Sequence, residues 1–416
     1  MKFLGQMQRL GPGLVTGAAD DDPSGIATYS QTGAQFGTGL MWTLVLCYPL
    51  MVAVQLASAR VGRVTGKGLA TSIKKIMPRW LIIALVALLF VANTINVGAD
   101  LAAMGEATAL VVPFSKHIYT AAFAIVSLLL QLHVPYHRYS SWLKWLTLVL
   151  LTYVALLFMV KIDWSETLSG LFIPRIDGRE GITTVVAIFG TTISPYLFFW
   201  QAAQEVEELD QNEEREPLTR NGEQAPDAFN RIRWDTFAGM AVSNIVALAI
   251  ILGTAATLHH AGKTDIQSAA DAANALKPVA GNLAFLIFCL GIVGTGLLAV
   301  PVLAGSSAYA VCEIGGWSAS LEAKPKHAKV FYLVIALGVV LSIAIDWSPV
   351  SPMKALFWSA VLNGIAAVPV LVGLMIVVAR KEIMQQFVGS LSLRAFGWLA
   401  TVVMAAAVAA MAATSF

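Results

Sequence analysis

Long apolar runs are the feature that most limits how this chain can fold. Examples are the runs from Leu81 to Val91, from Leu146 to Val160 and from Phe331 to Ile345. A helix of roughly 20 apolar residues crosses the hydrocarbon core of a bilayer. Hydrophobic residues make up 57% of the chain and charged residues only 12%, against about 25% charged residues in an average soluble protein. The sequence therefore predicts an all-α integral membrane protein and excludes a soluble globule.

Division of the apolar runs at polar, Gly and Pro clusters predicts eleven transmembrane helices in one domain covering residues 1–416. The predicted segments are, in order, about 11–36, 39–59, 80–112, 117–134, 141–160, 182–205, 235–258, 281–311, 329–346, 354–379 and 394–414. With a cytoplasmic N-terminus, 20 of the 27 Lys and Arg residues fall on the inner side, as the positive-inside rule requires. We therefore expect a multi-pass protein of the cell membrane with its C-terminus outside.

The charge balance and the cysteines argue against several other classes of function. The 27 Lys and Arg residues nearly balance the 25 Asp and Glu residues, so no nucleic-acid partner is expected. Cys47, Cys289 and Cys312 lack the spacing of a disulfide framework or a zinc site. No nucleophile and base pair emerges, so neither an enzyme nor a cofactor is predicted. We expect a monomer whose surroundings are the lipid bilayer.

One long polar stretch, about residues 206–233, joins segments six and seven on the predicted cytoplasmic side. Its acidic composition is typical of a solvated, mobile loop. A second interpretation is an acidic mouth that concentrates cations near an inner exit. Glu205, Glu207 and Glu208 lie nearest the membrane and would form that mouth.

The first predicted helix is interrupted near its middle. Asp20, Asp21 and Asp22 are followed directly by Pro23 and, two residues later, by Gly25. Pro removes a backbone donor and Gly tolerates strained geometry, so a continuous helix is not expected. Carboxylates at membrane depth usually face a cavity and mark a functional site. The alternative is that these acids form an extracellular turn between two short segments.

The sixth predicted helix carries a second interruption, at Pro195 within the stretch from Gly190 to Trp200. Two Pro-interrupted helices five segments apart are what a five-plus-five inverted repeat produces. Such repeats place substrate and ions at the membrane midplane between two discontinuous helices. Taken alone, Pro195 favours a simple kink, and it is the pairing with Asp22-Pro23 that favours a second break.

At these two breaks the sequence resembles the NRAMP family of divalent metal transporters, which have the LeuT-like fold. The residues that carry the resemblance are Gly11-Pro12, Asp22-Pro23-Ser24-Gly25, Ala27-Thr28, Gln31, Gly33-Ala34 and Phe36-Gly37 in the first segment, and Thr191 to Tyr196 in the sixth. The resemblance implies discontinuous helices one and six. It also implies a first inverted repeat over about 8–160, a second over about 182–379, and an extra helix over 394–414.

The resemblance also implies a set of metal ligands. Carried over by position, these are Asp22, Gly25, Ala19, Ser194 and Thr191. The family has an Asn where this chain has Gly25 and a Met where it has Ser194. Sulfur favours later transition metals, whereas oxygen ligands and water suit Mg²⁺, which dehydrates reluctantly. These departures resemble the NRAMP-related magnesium transporters, which also take up Mn²⁺; ordinary sequence drift in a Mn²⁺ transporter is the alternative.

Three further residues are candidates for the ion path. Mutual repulsion keeps Asp20, Asp21 and Asp22 from all facing one ion. We expect Asp22 to be the direct ligand and Asp20 or Asp21 to line the inner vestibule, binding through water. In segment ten, Asn363 is the nearest match to a polar family residue that reaches the ion, although a packing role fits it equally well.

The groups that would move protons are mostly missing. Proton-coupled members of the family carry acids on the third helix and a His on the sixth. Here Asp100 remains, whereas its partner falls on Ala103, an upstream Glu on Asn93 and the His on Tyr196. Alanine and asparagine do not titrate, and tyrosine titrates near pH 10. Transport without stoichiometric proton movement is therefore expected, and Asp100 is either a remnant of the relay or a packing acid bonded to a neighbouring Asn or Thr.

The sequence thus predicts import of Mg²⁺, and of Mn²⁺ as well, as a partly hydrated ion by alternating access. The alternative within the class is a proton-coupled Mn²⁺ or Fe²⁺ transporter. An amino-acid or other organic-solute symporter, or a channel, is the alternative from another class. The three acids at the first break would repel a substrate carboxylate.

Overall fold

A computed structural model describes residues 16–17, 19–135, 138, 146–212 and 214–415 of the chain. Every regular element among these residues is helical. In chain order the α-helices of the first half are α1 Pro23–Phe36, α2 Trp42–Thr65, α3 Leu69–Ile73, α4 Arg79–Val111, α5 Lys116–His133, α6 Leu151–Leu156, α7 Trp164–Phe172, α8 Gly178–Thr192 and α9 Pro195–Asp210. Those of the second half are α10 Ala225–Thr254, α11 Ala269–Asn274, α12 Lys277–Ala280, α13 Ala284–Gly315, α14 Lys329–Asp346, α15 Pro352–Ala379, α16 Lys381–Met384 and α17 Leu391–Ser415.

Eight helical stretches in the described part of the chain are long and apolar enough to cross a membrane. They are Trp42–Thr65, Arg79–Val111, Gly178–Asp210, Gly222–His259, Gly281–Gly315, Lys329–Asp346, Pro352–Ala379 and Leu391–Thr414. They match predicted segments two, three and six to eleven. The all-helical membrane architecture is thereby confirmed, whereas the count of eleven spans stays a prediction.

The remaining three segments are each accounted for in part. Segment four is the helix α5. The described part of segment five is a 3₁₀ turn over Leu146–Leu150 that leads into α6. Segment one appears as α1 preceded by helical residues up to Asp20. The starts of segments one and five, residues 11–15 and 141–145, lie outside the described residues, and so do Gly11 and Pro12 of the motif.

The polar stretch is shorter than the predicted loop over 206–233. α9 continues to Asp210, and α10 already begins at Ala225. The acidic residues at 205–208 therefore belong to a helix rather than to a loop. Irregular structure and short turns are confined to about residues 211–224.

Close helix contacts through glycine hold the two broken helices in place. A Cβ at Gly190 of α8 would overlap the backbone of Ala360 and Gly364 of α15. In the same way, Gly17 lies directly against the backbone of Gly239 of α10. Small residues permit this close approach of membrane helices. The helical residues that precede α1 are therefore packed against α10, and α8 is packed against α15.

Candidate functional site

Both predicted breaks are present, and both helices restart in the same way. α1 begins with Pro23 after an extended Asp22 (φ −66°, ψ 170°), and α9 begins with Pro195 after an extended Ser194 (φ −76°, ψ 134°). Pro pushes the preceding residue out of the helical region, yet fits well at the first helical position. Each X-Pro pair therefore ends one half-helix and starts the next.

The two breaks face each other. The Tyr196 hydroxyl, in the first turn of α9, lies 3.3 Å from the Ala19 carbonyl oxygen and 3.2 Å from Asp22 Oδ2, and its single hydrogen is shared between them. A Cβ built on Gly25 would lie 3.3 Å from Thr191 Oγ1 at the end of α8. The structure therefore brings Ala19, Asp22 and Gly25 of helix one close to Thr191 and Tyr196 of helix six.

The Asp22 carboxylate is completely buried and accepts four hydrogen bonds. Oδ1 accepts from the Ser24 hydroxyl at 2.6 Å and from the Gly25 amide at 2.8 Å, which makes Asp22 the N-cap of α1. Oδ2 accepts from Asn96 Nδ2 and from Tyr196, both at 3.2 Å. The two hydrogen bonds to Oδ1 are shorter than the two to Oδ2. Oδ2 is therefore the oxygen that can more easily exchange its hydrogen bonds for an ion.

Two further helices reach the site through amide and hydroxyl groups. Asn96 of α4 accepts at Oδ1 from the Ser359 hydroxyl of α15 at 2.8 Å. Asn363 lies one turn further along α15, and its side chain is fully buried. Neither its oxygen nor its nitrogen has a hydrogen-bond partner among the described residues. A buried polar group is normally paired, so the Asn363 amide has hydrogen-bonding capacity that the described residues do not use.

The sixth-helix side of the site carries oxygen atoms only. Ser194 is fully buried and donates to the Gly190 and Thr191 carbonyls. Its oxygen keeps its acceptor capacity, since the hydroxyl hydrogen is used in those bonds. Thr191 Oγ1 is buried and has no hydrogen-bond partner among the described residues. These groups offer hydroxyl and carbonyl oxygens to an ion.

The two preceding acids lie on a different side of the break. The Ser243 hydroxyl of α10 lies 2.6 Å from Asp20 Oδ2 and 3.1 Å from Asp21 Oδ1. Asp20 is fully buried, and Asp21 is 4% exposed. In this structure they therefore contact α10 rather than an open vestibule.

Asp100 of α4 is also fully buried. Neither of its carboxylate oxygens has a hydrogen-bond partner within the described part of the chain, so the bonded packing role is not what the structure shows. Asn93, one of the positions where an acid is missing, instead donates to the Leu303 carbonyl and to the hydroxyls of Ser306 and Ser307. Asn93 therefore joins α4 to α13.

The structure does not show an acidic mouth at the end of α9. Glu205 is completely buried, and its Oε2 lies 2.5 Å from Arg231 Nη2 of α10. Arg231 also pairs with Glu208 at 3.2 Å. Glu207 accepts from the Tyr309 hydroxyl and from the backbone amide that follows Ser320. The second interpretation, in which these acids attract cations, differs from the structure, where they join α9 to its neighbours.

Sequence reasoning missed Asn96 and Ser243, which contact the three acids, and Ser359, which bonds Asn96. An Asn inside a strongly apolar helix is itself a signal, because such residues usually have a functional or hydrogen-bonding role in membranes. Within the described ranges no group of three or more His, Cys, Asp or Glu side chains converges as a metal site. An ion here would therefore be held largely by carbonyls, hydroxyls, amides and water.

Comparison with known proteins gives consistent relatives over nearly the whole chain. The family described as "Natural resistance-associated macrophage protein-like" matches residues 13–414. A protein of Klebsiella pneumoniae (strain 342) named "Divalent metal cation transporter MntH" is 27% identical over 407 residues, covering 94% of this chain and 90% of the relative.

Solved structures agree on the fold. The manganese transporter of Eremococcus coleocola, in complex with an aromatic bis-isothiourea compound, superposes with a TM-score of 0.76 at 17% identity; the match covers 98% of this chain and 86% of that one. The nucleobase-cation-symport-1 family transporter Mhp1, in a closed conformation, gives a TM-score of 0.56 at 13% identity, covering 98% and 93%.

Proposed function

Since this chain belongs to the natural resistance-associated macrophage protein-like family, we propose that it carries divalent metal cations across the membrane by alternating access. Its main substrate is Mg²⁺, with Mn²⁺ also accepted. Movement is inward and is not coupled to stoichiometric proton flow. The ion binds at the meeting point of the two broken helices, with Asp22 as its charged ligand.

The chemistry at Gly25 and Ser194 supports Mg²⁺ as the main substrate. A Cβ on Gly25 would point at Thr191 Oγ1 and at the Asp20 carbonyl, at 3.3 and 3.2 Å, so a longer side chain at this position would enter the site. Gly25 itself offers no side-chain ligand, and Ser194 supplies oxygen where sulfur would favour later transition metals. Mg²⁺ keeps several of its waters and takes few protein ligands, which suits a sulfur-free site with few protein ligands.

The hydrogen bonds around Asp22 explain how an ion is admitted. Oδ1 stays bonded to Ser24 and Gly25, which holds the start of α1. Oδ2 exchanges its two longer bonds, from Asn96 and Tyr196, for the ion and its waters. The Ala19 and Thr191 carbonyls and the unpaired amide of Asn363 complete the set of groups that contact the hydrated ion.

The same neighbours support transport without protons. The side chains that contact Asp22 Oδ2 are an amide and a phenol, and neither exchanges a proton readily near neutral pH. The membrane potential alone supplies about 2.3 kcal/mol per charge per 100 mV, which is enough to drive a divalent cation inward. A proton-coupled Mn²⁺ transporter is the second candidate, because the Eremococcus coleocola protein of similar fold is a manganese transporter.

We also propose how the chain crosses the membrane. The chain crosses the cell membrane eleven times with a cytoplasmic N-terminus, and residues 8–160 and 182–379 form the two inverted repeats. The residues 394–414 add one helix, and the protein acts as a monomer. The matched X-Pro restarts at Pro23 and Pro195 support the repeat, because they occupy equivalent places in the two halves.

Calorimetric titration of the purified protein with MgCl₂ and with MnCl₂ tests this function. Wild type is expected to bind both ions, and Asp22→Asn to weaken Mg²⁺ binding at least about tenfold, since Asn keeps the helix cap but removes the charge. Glu106→Gln is the control, because that acid lies on α4 and accepts from the Ala269 amide, away from the breaks. Binding of Mn²⁺ with no measurable Mg²⁺ binding would contradict the proposal.

A further inference from the structure

A wide cavity lies between the segment that follows α6 and the segment that joins α10 to α13. It has a volume of about 920 Å³, and the polar side chains that line it include Lys161, Lys263, Lys277, His260 and Asn274. Ligand pockets in proteins have volumes of roughly 300–1,000 Å³. Among the described residues that line this cavity there is no Asp or Glu. The cavity therefore offers positive charge to a ligand.

The three lysines are unusual in their place as well as in their number. In the topology proposed above they lie on the outer side of the membrane, where Lys and Arg are depleted. Only seven of the 27 Lys and Arg residues fall on that side, and three of the seven line this one cavity. Such a concentration of positive charge favours an anionic ligand.

The charge of the lysines is mostly uncompensated. Lys161 and Lys277 form no ion pair in the described part of the chain. Lys263 lies 3.8 Å from Asp271, and the two side chains are 54% and 31% exposed, so this pair contributes little. An anion that enters the cavity therefore does not have to displace a strong internal partner.

Two side chains show how the cavity is prepared for a polar group. Lys277 Nζ lies 5.5 Å from the centre of the Phe285 ring, a cation–π contact that favours the ammonium group at this position. The Oδ1 atom of Asn274 is buried and has no hydrogen-bond partner among the described residues. Because buried polar atoms are normally paired, the Asn274 amide has unused hydrogen-bonding capacity beside the lysines.

Large apolar side chains are exposed next to the same cavity. Phe158 and Met159, which come just before Lys161, are 86% and 61% exposed, and Leu283, six residues after Lys277, is 59% exposed. Exposed apolar surface of this kind marks contact with a membrane or a partner. The chain thus passes from apolar to basic residues on two sides of the cavity, as expected where acyl chains meet head groups.

We propose that this cavity binds the phosphate of an anionic glycerophospholipid from the outer leaflet. Lys161, Lys263 and Lys277 contact the phosphate oxygens, the Asn274 amide contacts the rest of the head group, and the acyl chains lie on the exposed apolar side chains. Basic pockets between membrane helices bind lipid head groups by this chemistry. A soluble phosphate would use the same cations but not the apolar side chains. The site does not depend on which ion is carried.

Native mass spectrometry of the purified full chain tests the site directly. Phosphatidylglycerol and phosphatidylcholine with the same acyl chains are added in separate titrations. Wild type is expected to bind one phosphatidylglycerol at least about tenfold more tightly than phosphatidylcholine. The triple variant Lys161→Gln, Lys263→Gln and Lys277→Gln is expected to lose this preference, since each lysine near a head group contributes about fivefold.

The matched control removes the same charge from the same side of the membrane. It carries Lys116→Gln, Arg179→Gln and Lys354→Gln, three exposed positions that do not line the cavity. The control should keep the wild-type preference for phosphatidylglycerol. Equal preferences in the two triple variants overturn the proposal, and so does equal binding of the two lipids by wild type.

Two further measurements separate a lipid from a soluble anion. The double variant Phe158→Ser with Met159→Ser should weaken phosphatidylglycerol binding about tenfold, because it removes apolar contact area but no charge; an unchanged affinity overturns the acyl-chain contact. Inorganic phosphate in large excess should leave the bound phosphatidylglycerol in place, whereas displacement by phosphate overturns the lipid as the ligand. Calorimetric Mg²⁺ binding by the lysine variant should equal that of wild type, so failure at Asp22 and failure at this cavity are seen separately.

Discussion

Removing Arg231 should destabilise the protein strongly, because it leaves the buried Glu205 without its cation. The Glu205 side chain is 0% exposed and lies 2.5 Å from Arg231 Nη2, whose side chain is 19% exposed. Glu205 Oε1 has no hydrogen-bond partner in the described structure, and Arg231 is the ion-pair partner of Glu205 there. Breaking such a buried pair costs about 3–5 kcal/mol, and we expect Arg231→Gln to lower the free energy of unfolding by that amount.

The assay is equilibrium unfolding in mixed micelles with increasing dodecyl sulfate, followed by tryptophan fluorescence. Arg215→Gln is the matched control: Arg215 pairs with Glu208 at a similar distance, 2.8 Å, but the two side chains are 38% and 27% exposed. An exposed pair is worth about 0–1 kcal/mol. The double variant Glu205→Gln with Arg231→Gln should recover most of the loss, because it leaves no buried charge. Equal costs for Arg231→Gln and Arg215→Gln would refute the reasoning.

Three further substitutions probe the ion site and its framework. Ser194→Met returns sulfur to the site and should raise the Mn²⁺ to Mg²⁺ affinity ratio measured by calorimetry; an unchanged ratio would count against the oxygen-selectivity argument. Asn96→Ala removes a hydrogen bond that Asp22 Oδ2 gives up when the ion binds and should therefore not weaken Mg²⁺ binding; a loss of about tenfold in competition binding would contradict the exchange. Gly190→Ala should cost about 1–3 kcal/mol in the unfolding assay, because the added methyl meets backbone. Gly338→Ala, with nearest atoms 3.8 Å away, should cost nothing, and similar losses for the two would show that helix contact is not the cause.

The two breaks could be predicted because their causes are local. A Pro inside an apolar stretch ends a helix at the preceding residue, and Asp or Ser before it forms an extended N-cap. Asp22-Pro23 and Ser194-Pro195 are therefore readable from neighbouring residues alone. That the breaks meet was expected from their spacing, and the contacts of Tyr196 with Ala19 and Asp22 show it.

The polar network around the breaks could not be predicted because its members are far apart in sequence. Side-chain hydrogen bonds from Asn96 to Asp22 and from Ser359 to Asn96 join three helices. Periodicity places each residue on a face of its own helix, but it does not say which helix lies opposite. Ser243 was missed for the same reason.

The acidic stretch after segment six shows where composition misleads. Glu205 and Glu208 occur in a run of acids that is typical of a solvated loop, yet they lie on a helix and bind Arg231, which follows Glu205 by 26 residues. The basic partner belongs to the same polar stretch in sequence. Only the folded structure brings the charges together.

The measurement that bears most directly on the central claim is metal uptake into proteoliposomes that contain a pH-sensitive dye. With an inside-negative potential, MgCl₂ added outside should produce Mg²⁺ entry with no internal acidification. Asp22→Asn should abolish that entry. Acidification that rises in proportion to metal uptake, or uptake of Mn²⁺ with none of Mg²⁺, would contradict the account.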